Sequence, residues 1–257
     1  MGSAAGARPG KCRIHRVGMV KPASGVGDKE GRRTAVYRWE ITRAALAQRV
    51  FAIVRSRTYD EASATADTLL SAGITSLEIS LTTPFALEAV TTLTRELGDD
   101  AVIGAGTVLD AVSARMAVDA GARYLVSPSL DAEVIRTGHR YGIPVFPGVS
   151  TPTEMVRALE LGADAVKLFP AAGHDPAWLA EVRASLPQVP LLPTGGVTVD
   201  SAPEWIAAGA VAVGMGTALS EGDRETVAKR AADLLNRLDE AAPDRSAGRG
   251  TADLYED

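Results

Sequence analysis

Short apolar runs recur at regular intervals along the chain, and this repetition narrows the choice of fold more than any other feature. Each run has a handful of residues, is rich in β-branched side chains and is too short for a buried helix. The runs are Val50–Val54, Ile74–Ile79, Ala101–Ile103, Tyr124–Val126, Ile143–Phe146, Ala165–Phe169, Val189–Leu192 and Ala210–Val213. We interpret them as eight strands.

Helical patterns separate these runs, and several of the intervening segments end at a glycine of the C-cap type. The patterns include Thr58–Ser71, Phe85–Leu97, Ala111–Ala120, Thr153–Leu161 and Pro203–Ala208. The glycines are Gly73, Gly98, Gly121, Gly142, Gly162 and Gly209. Strands that alternate with helices in this way are typical of a parallel sheet.

Eight strand–helix units in about 200 residues predict an α/β fold, a single (β/α)8 TIM barrel over residues 41–240 with an extra N-terminal helix. An open doubly wound sheet is the alternative, but no G-x-G-x-x-G motif opens the first βα unit. Residues 1–40 are rich in Gly, Ala, Lys and Arg and predict a disordered tail, with a basic targeting arm as the alternative. Residues 241–257 predict a mobile tail.

The composition of the 257 residues favours a cytoplasmic protein. The formal net charge of −5 gives no reason to expect a nucleic-acid partner. Cys12 is the single cysteine, so the chain cannot form an internal disulfide or a cysteine metal site. No apolar stretch approaches the roughly 20 residues of a membrane span, so we expect no membrane partner.

Lys167 lies in the middle of the apolar run Ala165–Phe169. Burial is costly for an ammonium, and it favours the neutral amine, which can attack a carbonyl. Alternation along a strand places Lys167 on one face with Ala165 and Phe169, and likewise Glu78 with Ser80. If both faces point inward, Lys167 and Glu78 meet at the barrel mouth. A structural salt bridge is the alternative, although a buried ion pair adds little net stability.

Glycine-rich turns follow the last two predicted strands. They are Thr194-Gly195-Gly196-Val197 and Gly214-Met215-Gly216-Thr217. At this position of a barrel, backbone N–H groups and a helix N-terminus can bind phosphate. The alternative is that both are only tight βα turns. His139 and His174 are predicted at the surface, and three scattered histidines without clustered acids predict no metal site.

Six motifs in order make the chain resemble the 2-keto-3-deoxy-6-phosphogluconate aldolase family, which includes 4-hydroxy-2-oxoglutarate and phosphogalactonate aldolases. The motifs are Leu77-Glu78-Ile79-Ser80-Leu81, Gly104-Ala105-Gly106-Thr107-Val108, Ser127-Pro128, Pro147-Gly148-Val149-Ser150-Thr151-Pro152, Val166-Lys167-Leu168-Phe169-Pro170-Ala171 and Pro193-Thr194-Gly195-Gly196-Val197. The resemblance covers about residues 41–220. It implies a homotrimeric class I aldolase of carbohydrate metabolism, in the Entner–Doudoroff pathway, without metal or other cofactor.

The resemblance also implies roles for individual residues. Lys167 forms a Schiff base with the keto carbon of pyruvate or of the whole substrate, and Glu78 is the general acid/base. The residues implied in binding the 2-keto acid phosphosugar are Arg55, Thr107, Phe169, Pro170, Thr194, Gly195, Gly196, Gly216 and Thr217. Of these, the resemblance implies that Thr107 and the backbone near Phe169 and Pro170 hold the pyruvyl end, and that the glycines with Thr217 hold the phosphate.

One position departs from part of the family. Some phosphogluconate enzymes carry an arginine four residues after the glutamate, where this chain has Thr82. Others use an arginine at the end of the first strand, which here is Arg55, so we expect Arg55 to bind the substrate carboxylate. The predicted substrate is 2-keto-3-deoxy-6-phosphogluconate, cleaved to pyruvate and glyceraldehyde 3-phosphate. Its phosphogalactonate epimer and 4-hydroxy-2-oxoglutarate are alternatives, as are a phosphosugar epimerase and a non-catalytic phosphate-binding barrel.

Overall fold

The computed structural model describes residues 37–241, which form nine strands and ten α-helices. The strands are β1 Val50–Val54, β2 Ser76–Ser80, β3 Val102–Gly106, β4 Leu125–Val126, β5 Val145–Phe146, β6 Gly148–Val149, β7 Val166–Leu168, β8 Leu191–Pro193 and β9 Val213–Met215. The helices are α1 Arg38–Leu46, α2 Tyr59–Ser71, α3 Ala86–Leu97, α4 Ala111–Asp119, α5 Ala132–Arg140, α6 Pro152–Glu160, α7 Pro176–Ser185, α8 Ala202–Ala207, α9 Thr217–Ser220 and α10 Arg224–Glu240.

The strands form a curled parallel sheet in two parts, which gives an α/β fold. Six strands pair in the order β5-β4-β3-β2-β1-β9, and three pair in the order β6-β7-β8. Pro147 separates β5 from β6, because proline has no N–H to give to a ladder. Of the predicted strand Ile143–Phe146, only Val145–Phe146 is a strand, and β6 lies beyond the predicted run. At the other edge of the three-stranded part, Thr194 forms an isolated parallel bridge with Gly214 of β9.

The predicted alternation of strands and helices is confirmed, and the element ends follow local chemistry. All six glycines predicted as C-caps have positive φ, a conformation that glycine adopts without steric cost. Helix starts are marked by side chains that accept N–H bonds of the first turn, such as Thr58 for α2 and Asp131 for α5. The last predicted strand is displaced, since the structure places β9 at Val213–Met215 rather than Ala210–Val213.

The two faces of the sheet have different cores. The outer core, between sheet and helices, contains Val166 and Leu168. The inner face is filled by a smaller cluster in which the rings of Phe51, Tyr124 and Phe146 lie 5.1–5.7 Å apart between centroids. Buried Ala45 and partly buried Leu46 at the end of α1 belong to the same inner cluster. The predicted extra N-terminal helix therefore covers one end of the inner face of the sheet.

The predicted tails lie largely outside the described residues. Of the first segment, 1–40, only residues 37–40 are described, and Arg38–Glu40 already belong to α1. Of the second, 241–257, only Ala241 is described. No helix within residues 37–241 is long and apolar enough to cross a membrane.

The inner aromatic layer yields a stability prediction. A Cβ at Gly104 on β3 would overlap the Tyr124 ring, whereas a Cβ at Gly173 meets nothing within 4 Å. We expect Gly104→Ala to lower the free energy of unfolding by about 1–3 kcal/mol, because a packed ring must move. Gly173→Ala is the control and should change it little. Denaturant unfolding of both variants measures this, and equal stabilities would contradict the packing account.

Candidate active site

A cavity of about 410 Å³ opens at the carboxyl ends of β1, β3, β7, β8 and β9. Nine of the predicted site residues line it, namely Arg55, Thr107, Lys167, Phe169, Thr194, Gly195, Gly196, Gly216 and Thr217. Glu78 lies beside it in β2, whereas Pro170 is exposed and is not among the lining residues. A larger groove of about 520 Å³ lies between α6 and α7, but Glu181 is its single titratable lining residue. The chemistry-bearing residues converge on the strand ends.

Lys167 is the central residue of β7 and is only 5% exposed. Its Nζ lies 4.9 Å from the centre of the Phe169 ring, and it makes no hydrogen bond or ion pair with any residue in the described range. Fully buried side-chain nitrogens and oxygens in that range all have partners. The unbonded amine therefore keeps contact with the cavity, where it can meet a ligand.

Glu78 is the matching acid on β2, 3% exposed. Its carboxyl group occupies space that a Cβ at Gly106 on β3 would fill, so the glycine makes room for the acid. Burial raises the pKa of Glu78, and the positive charges of Lys167 and Arg55 oppose this rise. Among residues 37–241, no ion pair of 4 Å or less joins Glu78 to Lys167. A structural salt bridge therefore does not account for the two residues.

The electrostatics of the mouth favour a negatively charged ligand. Arg55 is exposed at the end of β1, and its positive charge acts to lower the pKa of Glu78 against the effect of burial. The lining residues include Arg55 and Lys167 but no Asp or Glu. A carboxylate or phosphate in the cavity therefore faces two basic side chains and no acidic lining residue.

Both predicted glycine turns lie on the cavity wall, but they need glycine for different reasons: one for its backbone conformation, the other for space. Gly195 and Gly196 have φ of 81° and 93°, in the left-handed region that favours glycine. Gly214 gives room to the Thr194 side chain, whereas a Cβ at Gly216 would make only ordinary van der Waals contact with Ile53. Thr217 begins α9, in which the N–H groups of Leu219 and Ser220 already donate to the Gly216 carbonyl. The N–H groups of Thr217 and Ala218, at the start of this helix, are the candidate backbone donors for a ligand.

Sequence reasoning missed part of the lining and misplaced one histidine. Ile53, Thr198, Ala218 and Ser220 also line the cavity. Pro128 and Val197 line it too, and both lie in motifs noted in the sequence without a role of their own. Position late in a strand could have revealed Ile53, but no sequence signal marks Ser220.

His139 is not a surface residue, because its side chain is 19% exposed and its Nε2 lies 3.1 Å from Asp164. Asp164 also pairs with Arg38 at 3.0 Å. Among residues 37–241, no three His, Cys, Asp or Glu side chains form a group that could hold a metal.

The fold and the site together define an α/β protein with a lysine in an anion-attracting cavity and a buried carboxyl beside it, and comparison with known proteins supplies the family. A family model described as "KDPG and KHG aldolase" matches residues 41–235. The chain belongs to this family. The resemblance seen in the sequence is confirmed, and the protein is an aldolase of class I, a carbon–carbon lyase.

Three relatives illustrate the range within the family. The chain is 35% identical over 195 residues to 2-dehydro-3-deoxy-6-phosphogalactonate aldolase of Escherichia coli K12, which covers 75% of this chain and 95% of that protein. It is 38% identical over 148 residues to 2-dehydro-3-deoxy-phosphogluconate aldolase of Zymomonas mobilis, covering 57% and 70%. A solved structure of KDPG aldolase from Legionella pneumophila, with pyruvate captured as a covalent carbinolamine intermediate, has 29% identity and a TM-score of 0.66, covering 79% of this chain and 98% of that one.

The buried Glu78 carboxyl yields a prediction with a defined pH dependence. Since burial raises its pKa, the folded state binds the proton more tightly than the unfolded state does. Its destabilising effect is absent below the ordinary pKa of glutamate and grows as pH rises through the higher folded pKa. We expect Glu78→Gln to unfold at a higher temperature than wild type at pH 7 to 8, with the difference shrinking toward pH 4.

Glu154→Gln is the control of opposite sign. Hydrogen bonds, first from the backbone of Ser150, lower the pKa of Glu154, so this carboxylate stabilises the folded state above its ordinary pKa. We expect Glu154→Gln to lower the unfolding temperature at pH 7 and to lose this effect in acid. Thermal unfolding across pH measures both variants, and a Glu78→Gln difference that does not change with pH would refute the assigned cause.

Proposed function

We propose that Lys167 is the Schiff-base lysine of this aldolase and that Glu78 is its general acid/base. The observation that carries the proposal is the unbonded, nearly buried Lys167 amine in the cavity, with a carboxyl of raised pKa beside it. An acid with a raised pKa can hold a proton and give it up within one reaction cycle. The amine of Lys167 attacks the keto carbon to form a carbinolamine. Glu78 then protonates the carbinolamine hydroxyl, which leaves as water and gives the iminium.

The iminium makes carbon–carbon cleavage feasible. Glu78 takes the proton of the C4 hydroxyl, the C3–C4 bond breaks, and the electron pair of that bond moves into the iminium to give an enamine. The C4 fragment leaves as an aldehyde. The enamine then takes a proton at C3, and water releases pyruvate and restores the Lys167 amine. In this scheme the inner-face position of Glu78, beside Gly106, gives its carboxyl access to both the nitrogen and the C4 end.

The two ends of the substrate find different partners. We assign the carboxylate to Arg55 and Thr107, with Phe169 and Pro170 beside the pyruvyl end. The phosphate goes to the wall formed by Thr194, Gly195, Gly196, Gly216 and Thr217. What supports this assignment is that basic side chains and the amino-terminal turn of α9 line the same cavity as Lys167.

The proposed substrate is 2-keto-3-deoxy-6-phosphogluconate. Its C4 epimer, 2-keto-3-deoxy-6-phosphogalactonate, is the second candidate, because the relative with that activity is matched over 95% of its length. Thr82, at the position where some relatives have arginine, is exposed. Without that arginine, both C4 configurations stay candidates. 4-Hydroxy-2-oxoglutarate is the unphosphorylated alternative.

Three further features belong to the same proposal. We infer a closed (β/α)8 barrel over residues 41–240, supported by the Thr194–Gly214 bridge and by chain continuity through Pro147. We also infer a homotrimer and a place in the Entner–Doudoroff pathway, both from family membership. The cytoplasmic location, the lack of cofactors and the two tails stay predictions from sequence.

Borohydride reduction in the presence of pyruvate tests the lysine. We expect one pyruvyl adduct, located on Lys167 by peptide mass analysis, because reduction traps the imine. Lys167→Ala should show neither adduct nor turnover. Lys229→Ala is the matched control, since Lys229 on α10 is the other lysine among residues 37–241 and should not affect trapping. An adduct on another lysine, or none, contradicts the assignment. Glu78→Gln should slow turnover by about 10²–10⁴-fold.

Kinetics on the three keto acids test the substrate and the phosphate wall. We expect the two phosphorylated epimers to have higher kcat/KM than 4-hydroxy-2-oxoglutarate. Thr217→Val removes a hydroxyl donor and should raise KM for the phosphorylated substrates about tenfold, the loss expected for a hydrogen bond to a charged group. The unphosphorylated substrate is the internal control and should be unaffected. Equal losses on all three substrates would exclude Thr217 from phosphate binding.

A further inference from the structure

Three hydroxyl groups are in hydrogen-bond contact where β2 and β3 end. Ser80 Oγ lies 2.9 Å from Thr107 Oγ1 and 2.8 Å from Thr82 Oγ1. Ser80 is fully buried, Thr107 lines the cavity and Thr82 is exposed on the loop after β2. The buried serine thus connects the cavity wall to a loop at the surface.

The number of protons limits what this chain of hydroxyls can do. Ser80 has one hydroxyl proton, so it can donate to only one of the two threonines. The backbone N–H of Thr82, 3.4 Å away, also donates to Ser80 Oγ. When Ser80 donates to Thr107, the Thr107 proton is available to a group in the cavity. When Thr107 donates to Ser80 instead, it offers the cavity only lone pairs, which repel an anion.

The position of Thr107 makes this orientation consequential. Its φ of 60° lies in the left-handed region, which costs free energy for a β-branched residue. The next residue, Val108, is fixed by an N–H bond of 3.1 Å to the Val126 carbonyl. The Thr107 side chain is therefore carried on a constrained backbone, and Ser80 is its one side-chain hydrogen-bond partner among the described residues.

We propose that Ser80 is a positioning residue that holds the Thr107 hydroxyl as a donor toward the carboxylate of the bound keto acid. Donation runs from Ser80 to Thr107 and from Thr107 to the carboxylate. This inference rests on the proposed function, since it takes the keto-acid carboxylate as the group that meets Thr107. An anion in the cavity favours this order because it requires a donor.

Ser80→Ala tests the proposal, with Ser76→Ala as the matched control. Ser76 is buried on the same strand and the same face, but its hydroxyl lies 3.4 Å from the Tyr124 hydroxyl, in the inner cluster rather than at the mouth. The measurement is the pyruvate concentration that gives half-maximal borohydride trapping on Lys167. We expect Ser80→Ala to raise it about five- to tenfold, and KM with it, while kcat changes less than about twofold. Ser76→Ala should leave it unchanged.

Two further variants separate orientation from anchoring of the loop. Thr82→Val leaves Thr107 as the sole side-chain acceptor for the Ser80 proton, so half-saturation should stay equal or fall. A rise like that of Ser80→Ala would show that the hydroxyls only anchor the loop, and it would overturn the proposal. The double variant Ser80→Ala/Thr107→Val should bind pyruvate no more weakly than Thr107→Val alone, because both substitutions remove one interaction. Additive losses would also overturn it.

The outcomes distinguish this inference from the proposed function. If the wild-type protein gives no pyruvyl adduct on Lys167, the proposed function fails. If the wild type is trapped but Ser80→Ala and Ser76→Ala have the same half-saturation, only the role of Ser80 fails. Should Ser80→Ala not fold, Ser80→Cys replaces a strong donor with a weak one at similar volume and should also raise half-saturation. Unchanged half-saturation in that variant contradicts the proposal.

Discussion

The structure depends on how two ionisable side chains are accommodated on the inner face of a curled parallel sheet. Lys167 and Glu78 come from strands in different parts of the sheet, and each is almost excluded from solvent. Gly106 leaves the space that the Glu78 carboxyl occupies. On the same inner face, the aromatic rings of the inner cluster fill the space enclosed by the sheet, and the end of α1 packs against this cluster. Burial favours the protonated form of Glu78, and the Lys167 amine reaches the cavity.

Most of this arrangement follows from sequence periodicity. A lysine in an apolar run and a glutamate with a serine two residues later are enough to assign faces, because strand side chains alternate. The glycine C-caps also appear where the pattern places them, since left-handed backbone leaves little choice of residue. Both signals are local, so they can be recognised in the sequence without knowledge of the tertiary structure.

The features that sequence could not reveal depend on neighbours distant in the chain. Pro147 ends β5 because it has no N–H to pair, while its carbonyl accepts the N–H of Lys167, and a separate strand β6 follows beyond the predicted run. His139 looks like a surface residue until Asp164, 25 positions away, is placed beside it. The same limit applies to Ser80, which periodicity assigns to the inner face without showing that Thr107 lies within hydrogen-bond distance.

Asp164 suggests how this architecture can change over evolution. Its carboxylate pairs with Arg38 of α1 and His139 of α5 and accepts the N–H of Val145 at the start of β5. These contacts lie at the amino-terminal end of the sheet, opposite the cavity. Because stabilising and reactive groups occupy opposite ends, substitutions around the mouth can alter substrate preference without loosening the framework. This separation allows the substrate preference to change in evolution while the fold stays stable, and Thr82 is a position where such a substitution can occur.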